Sequence, residues 1–271
     1  MTTQNELAEK MKELAEQFAK LTDKQVANVI KEIGRFRGDI ADLLSEFADN
    51  DGTINKSKLM RLLRELETIE KSMRQYGNDS ILQTIDESID FTLDQNNAIF
   101  LALLGLPLLA SGKSAIKKAV RNYVITRIGD DGLQLSDRIW NVSGEIRDAI
   151  ASQLRADIIR GESVSTMVRN IRKIYDNQTW MIQRLVVTEN NTAHRMTTAL
   201  SIDRSEIADW VRIRDNGSRH PRHTQHRCYI LAHEDRYGQG QGVFKPTDEE
   251  IYSPHPNCSS YLVPVLKEEY L

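Results

Sequence analysis

Five of the six histidines (His220, His223, His226, His233 and His255) and both cysteines, Cys228 and Cys258, fall between positions 220 and 258. Imidazole nitrogen and thiolate sulfur are the ligands zinc prefers, and four of them in a tetrahedron can staple a module too small to hold itself together. His223-Thr224-Gln225-His226, followed by Cys228, and His255-Pro256-Asn257-Cys258 each offer a ligand pair. The candidate metal ligands are accordingly His223, His226, His255 and Cys258. Their spacing matches no standard zinc finger, and a solvated His-rich loop accounts for the same composition. No cofactor is required; zinc is the one these residues would take.

The same stretch is basic. Arg212, Arg214, Arg219, Arg222 and Arg227 have only Asp215 nearby as an acid. Guanidinium groups suit phosphate oxygens, so these five are candidates for contact with a DNA backbone, and an acidic protein surface would use them equally well. An ordinary solvated loop with internal pairs to Glu206 and Asp209 is the alternative.

Catalytic patterns are weak. His194 has no nucleophile at a telling spacing, and Cys258 beside His255 is a neighbour in sequence, not a dyad in space. Asp49-Asn50-Asp51-Gly52 resembles part of a calcium loop, yet alignment on Gly52 puts Phe47 and Lys58 where the terminal carboxylates belong. Gly112-Lys113-Ser114 resembles the end of a phosphate loop, but Gly105 is two residues too far upstream and no strand precedes it. A turn and a helix start, capped by Ser111 or Ser114, explain these two better.

The elements that must position these residues are mostly helices. Aromatics are 6% of the 271 residues, glycine and proline are few, and the net charge of −3 excludes a globally basic nucleic-acid coat. Leu7, Met11, Leu14, Phe18 and Leu21 share one helical face, and the spacing resumes from Val26 to Phe47 and from Leu59 to Ile69. A break is expected at Tyr76-Gly77-Asn78-Asp79, then helices over 81–100, 114–128, 135–160 (one helix or a broken pair, capped by Gly161), one from Ser163, and another over about 179–200. Past Trp210 the periodicity fades, and Tyr229–Leu231 and Tyr261–Val265 read as short strands, the second at a sheet edge or ending early because of Pro264. The expected fold is mainly α: a helical N-terminal region (1–132), then a helical core (133–271) that ends in a small loop-rich α+β module at about 201–271. The N-terminus lacks the apolar core of a signal peptide, and the run Ala98–Ala110 falls short of the about 20 residues of a membrane span.

The order of features in the second half resembles the phage head-morphogenesis (Mu F-like) minor head proteins. The pieces are Leu135-Ser136-Asp137-Arg138-Ile139-Trp140, the helix start at Arg160-Gly161-Glu162-Ser163, and Arg184-Leu185-Val186-Val187-Thr188-Glu189 with Ala193 beyond it. Trp210 and Asp215 follow, then the Arg/His stretch to His226, Phe244, His255-Pro256-Asn257-Cys258 and Leu262-Val263-Pro264-Val265. One departure stands out: the family's second cysteine, two residues after the first, is replaced by Ser260.

The resemblance implies a structural virion protein, not an enzyme, located inside the head near the portal vertex. It further implies the portal protein as partner, packaged double-stranded DNA and the major capsid or scaffolding protein as further contacts, and roles in head assembly and DNA ejection. Trp140, Arg184, Thr188, Glu189 and Trp210 become structural residues, with Glu189 expected to cap or to pair with an arginine of the terminal module. Six residues past Val265 leave no room for an appended toxin domain. The competing expectation is a zinc-dependent nuclease or toxin-like hydrolase built on the His/Cys cluster.

Overall fold

The structure is a computed structural model and describes residues 3–217 and 222–271. Six long helices come first: α1 (Thr3–Ile33), α2 (Phe36–Phe47), α3 (Leu59–Leu104), α4 (Lys113–Thr126), α5 (Leu135–Arg160) and α6 (Val164–Asp203). Then follow β1 (Ala208–Arg214), the short helix α7 (Arg227–His233), β2 (Val243–Phe244) and β3 (Tyr261–Leu266). The fold is mainly α with a small α+β module at the C-terminal end, as the sequence implies. Among the described residues no helix is long and apolar enough to cross a membrane. The chain forms two compact units: one of Met1–Gln25, Gln83–Asp131 and Arg184–Leu271, the other of Val26–Leu82 and Gly132–Gln183. Helices α1, α3 and α6 contribute residues to both.

In the second unit, helix α5 shows how local chemistry sets limits. Gln134 and Asp137 form a reciprocal capping box at its start, and Gly161 closes it in the left-handed conformation, φ 72°, with its N–H bonded back to Asp157 and Ile158. Asp49–Gly52 is the expected turn, tightened by the Gly52 N–H on the Asp49 carbonyl at 2.9 Å and the Thr53 N–H on Asp51 at 3.0 Å.

Two expected breaks are absent. Helix α3 runs straight through Gly77, where a Cβ would stand 3.4 Å from both Ile33 and Ile139. That glycine serves close side-chain approach, and the loss in helix propensity is overridden by packing. The helix from Ser163 and the helix over 179–200 are one helix, α6, because Ile171, Tyr175 and Ile182 continue a single buried stripe. Tyr175 pins it there, its hydroxyl donating to the Ile30 carbonyl. In the first unit, the cap expected of Ser111 or Ser114 falls instead to Gly112, φ 91°, which offers no side-chain bond.

The first unit has a polar seam inside its helical core. The Asn190 amide donates to Gln25 at 2.8 Å, Thr84 donates to Asn190 at 3.0 Å, and Asn96 donates to Thr198 at 3.2 Å. His194 stacks on Phe18 with ring centroids 4.2 Å apart, and its Nδ1 lies 2.8 Å from the Thr92 hydroxyl. Hydrogen-bonded polar groups of this kind fix helix register, because a slip breaks these bonds inside the core; the Asn96 Oδ1 is buried without a partner among the described residues.

The sheet has the order β2-β1-β3, antiparallel throughout, with Val211 opposite both Phe244 and Pro264. β3 is an edge strand, as Pro264 implies. The Gln4 amide of α1 occupies its outer side, donating to the Pro264 carbonyl at 3.0 Å and accepting the Leu266 N–H at 2.9 Å. The strand expected at Tyr229–Leu231 is instead part of α7. Cys228 and Leu231, three residues apart, point inward together, a helical spacing that a short apolar run cannot declare in advance.

Burial, and secondarily the Arg195 charge, push the His194 imidazole down to about 3 from 6.5. The folded state therefore binds fewer protons than the unfolded chain between those values, so His194 lowers stability as pH falls below 6.5 and has no effect above it. The slope from this residue approaches about 1.4 kcal/mol per pH unit. Denaturant melts at a series of pH values should show a shallower acid-side decline in His194→Gln than in the unaltered protein; parallel curves would refute the assignment.

Candidate functional site

The site begins with a buried cation. Arg195 on α6 is 1% exposed and is the largest of the fully buried side chains. Its Nε donates to the Tyr252 carbonyl at 2.8 Å, and its Nη1 to the carbonyls of Cys258 and Ser260, each at 3.0 Å. Burial draws its pKa below the ordinary value, and the Cys258 and Cys228 thiols oppose that fall by favouring the charged form. Segment 252–260 is thereby wrapped around one guanidinium, a fork suited to several fixed acceptors at once.

That wrapping presents the His/Cys cluster. The ligand atoms of His226, Cys228 and His255 all lie within 4.8 Å of one another. His255 Nε2 is 3.1 Å from the Cys228 sulfur, and the His226 and His255 rings have centroids 4.9 Å apart. Cys258 adjoins them, its sulfur 3.0 Å from the Ser260 hydroxyl. The Cys258 thiol is held well below its ordinary value, first by the Cys228 thiol donating to it, against the cost of burial, with further help from Arg195 and His255. The Cys228 thiol is raised by the same hydrogen bond and by its own burial. The pair thus gives up one proton readily and the second reluctantly.

His223 stands apart from this group. Its Nε2 is bonded to the Asp215 carboxylate at 2.8 Å, and its ring packs edge-on against Tyr229. Of the four candidate ligands, His226 and His255 join Cys228 in this trio, while His223 and Cys258 lie outside it. The carboxylate, eight residues away in sequence, takes up the His223 Nε2, and the His223 and His226 rings stand edge to face with centroids 6.1 Å apart.

The arginines divide as well. Arg212 is half-buried on β1 beside Gly240, and Arg214, two residues on, lies exposed on the same strand face. Arg227 pairs with Glu250, which also holds Arg236. Arg222 is exposed, and Arg219 lies outside the described residues.

Of the motif residues, Thr188 and Glu189 are the most tightly engaged. Thr188 donates to the Arg184 carbonyl at 2.6 Å and accepts the Asn257 N–H at 3.1 Å, joining α6 to the HPNC segment. Arg184 contributes that carbonyl while its side chain is exposed. Glu189 is completely buried and takes one Nη of Arg127 on both carboxylate oxygens at 2.9 Å. Its partner arginine closes α4 and does not belong to the terminal module. Trp210 packs on Tyr237 with ring centroids 5.4 Å apart. Trp140 is 58% exposed, in the second unit, with the Arg74 guanidinium 3.8 Å above its ring.

Arg195 and Arg127 have no place in the sequence-derived set. A signal for Arg195 does exist: from Thr188 to Ala199 the chain carries Thr, Asn and Ala where a surface helix would carry Lys and Glu. That scarcity of charge fits the burial of residues 192–199, Arg195 among them. No family model matches the chain, and neither does any curated protein or solved structure.

Replacing Glu189 by alanine leaves Arg127, 9% exposed, with its charge uncompensated. A stability loss of about 3–5 kcal/mol is expected, largely recovered when Arg127 is also replaced by methionine. Chemical denaturation of the single and double variants measures both; a double variant no better than the single would show that the ion pair is not the source of the loss.

Proposed function

We propose that this chain is a minor head protein of a tailed bacteriophage, a structural and non-enzymatic component that sits by the portal inside the head. The reading rests on the ordered motifs of the second half. The observation that carries it is the Thr188–Asn257 hydrogen bond, which joins the Thr-Glu helix to the HPNC segment across 69 residues. Arg195 on the same helix holds Cys258 and Ser260, and the Trp210 strand pairs with the Leu262–Val265 strand. The motif pieces from Arg184 onward, separate in sequence, thus belong to one packed unit, which supports treating their order as a single inherited set.

Arg214 and Arg222 are exposed residues, and guanidinium chemistry suits an acidic portal surface or packaged double-stranded DNA. The major capsid or scaffolding protein is a further contact during head assembly. A zinc-dependent nuclease or toxin-like hydrolase would need an accessible thiol or an open metal position. Cys228 and Cys258 are 4% and 1% exposed, which favours the structural role.

The protein should be present at low copy number in purified particles and should co-purify with the portal from lysates of infected cells, as read by mass spectrometry. Absence from particles removes the proposal, and DNA cleavage by the purified chain, abolished in His226→Ala, would replace it with the hydrolase.

A further inference from the structure

We propose that His226, Cys228, His255 and Cys258 bind one zinc ion in a closed, structural site that staples the terminal module. The geometry comes first. Tetrahedral zinc with about 2.3 Å bonds to sulfur and about 2.0–2.1 Å bonds to nitrogen sets its ligand atoms roughly 3.3–3.8 Å apart. The atoms of His226, Cys228 and His255 already lie within 4.8 Å of one another, so small side-chain rotations complete the contraction. Cys258 stands outside that compact trio, with its sulfur 3.0 Å from the Ser260 hydroxyl and in electrostatic interaction with Cys228 and His255, and as the fourth ligand it would swing in from the segment that Arg195 holds.

The second support is the orientation of His255. Its Nδ1 lies 2.9 Å from the Pro256 carbonyl oxygen, an atom that can only accept, so Nδ1 carries the proton. In the neutral ring Nε2 then holds the lone pair, and Nε2 is the atom facing the Cys228 sulfur. A ring nitrogen fixed by a backbone carbonyl is the usual outer support of a metal-bound histidine. The Cys258 backbone is fixed in turn by Arg195, and Asn257 at φ 57° supplies the tight turn that lets His255 and Cys258 serve the same cluster.

The third support is need. Between β1 and β3 the described chain offers one helix of seven residues, a strand of two and two short 3₁₀ turns. So little regular structure holds poorly without a cross-link. Two thiolates and two neutral imidazoles balance a divalent ion, and a mixed nitrogen–sulfur tetrahedron selects zinc over the hard cations. Four protein ligands leave no open position for water or substrate, so the ion would be architectural. The inference does not depend on the phage assignment.

The test uses the full-length chain without a histidine tag, purified under reducing conditions. Elemental analysis should find about one zinc per chain, and a strong chelator should lower Tm. Cobalt(II) in place of zinc should give the intense visible bands of a tetrahedral site and a thiolate-to-metal charge-transfer band. Cys258→Ser should lose about half of that band, one of two thiolates being removed. His223→Ala should keep full stoichiometry, because its ring belongs to Asp215. Metal-free protein whose Tm ignores added zinc would overturn the proposal, as would a cobalt spectrum without the thiolate band. A Cys228–Cys258 disulfide persisting in the purified protein, or equal metal loss in His223→Ala, would do the same. These readouts need neither virions nor a portal, so their failure leaves the head-protein reading standing.

Discussion

The interaction on which the terminal half of the first unit depends is the burial of the Arg195 guanidinium. Removing such a group from water costs several kcal/mol and is tolerated only where fixed acceptors meet its N–H groups. Tyr252, Cys258 and Ser260 provide those acceptors through backbone carbonyls, so the chain from 252 to 260 must turn these carbonyls inward. Tyr261 then enters β3 directly, and the pairing of Arg214 with Tyr261 and Val211 with Pro264 follows from where that turn releases the chain. A single side chain on α6 thus helps to set the course of a segment with almost no regular structure.

Helix α6 anchors a second segment by the opposite charge. Glu189, six residues before Arg195, receives Arg127 at the point where α4 ends. The two charges bind different stretches of chain to one helix, and the Thr, Asn and His groups beside them hydrogen-bond toward α1 and α3 within the same unit. A greasy helix packs almost as well one turn out of place. A helix carrying a buried acid, a buried base and a row of amides has one register that satisfies them all.

The helices were legible in the sequence because their signal is local. Leu7, Met11, Leu14 and Phe18 repeat at helical spacing, and all are buried. Local signals also misled. Gly77 reads as a break until Ile33 and Ile139 are seen to need its missing side chain. Tyr229–Leu231 is apolar enough for a strand, and only the inward pairing of Cys228 with Leu231 makes it a helix. The cluster was visible as composition and not as a set. Neighbours in sequence suggested His223 with His226, whereas Asp215 captures His223 and Cys228 joins His226 and His255. Cys258 interacts with a thiol supplied thirty residues upstream by Cys228. The Glu189–Arg127 pair spans 62 residues, with nothing local to announce it.

The side-chain amide of Gln4 against β3 has a consequence for how this protein behaves at high concentration. An exposed strand edge is a row of unmet donors and acceptors that invites the same edge of another molecule. Here the carbonyl of Pro264 and the N–H of Leu266 are already answered by one glutamine, while Pro264 has no N–H to offer. The first turn of the first helix thereby acts as a stopper on the last strand. Shortening the chain by a few residues at its beginning would unplug a sheet formed at its end, and the trouble would show as fibrous aggregation before any loss of helix.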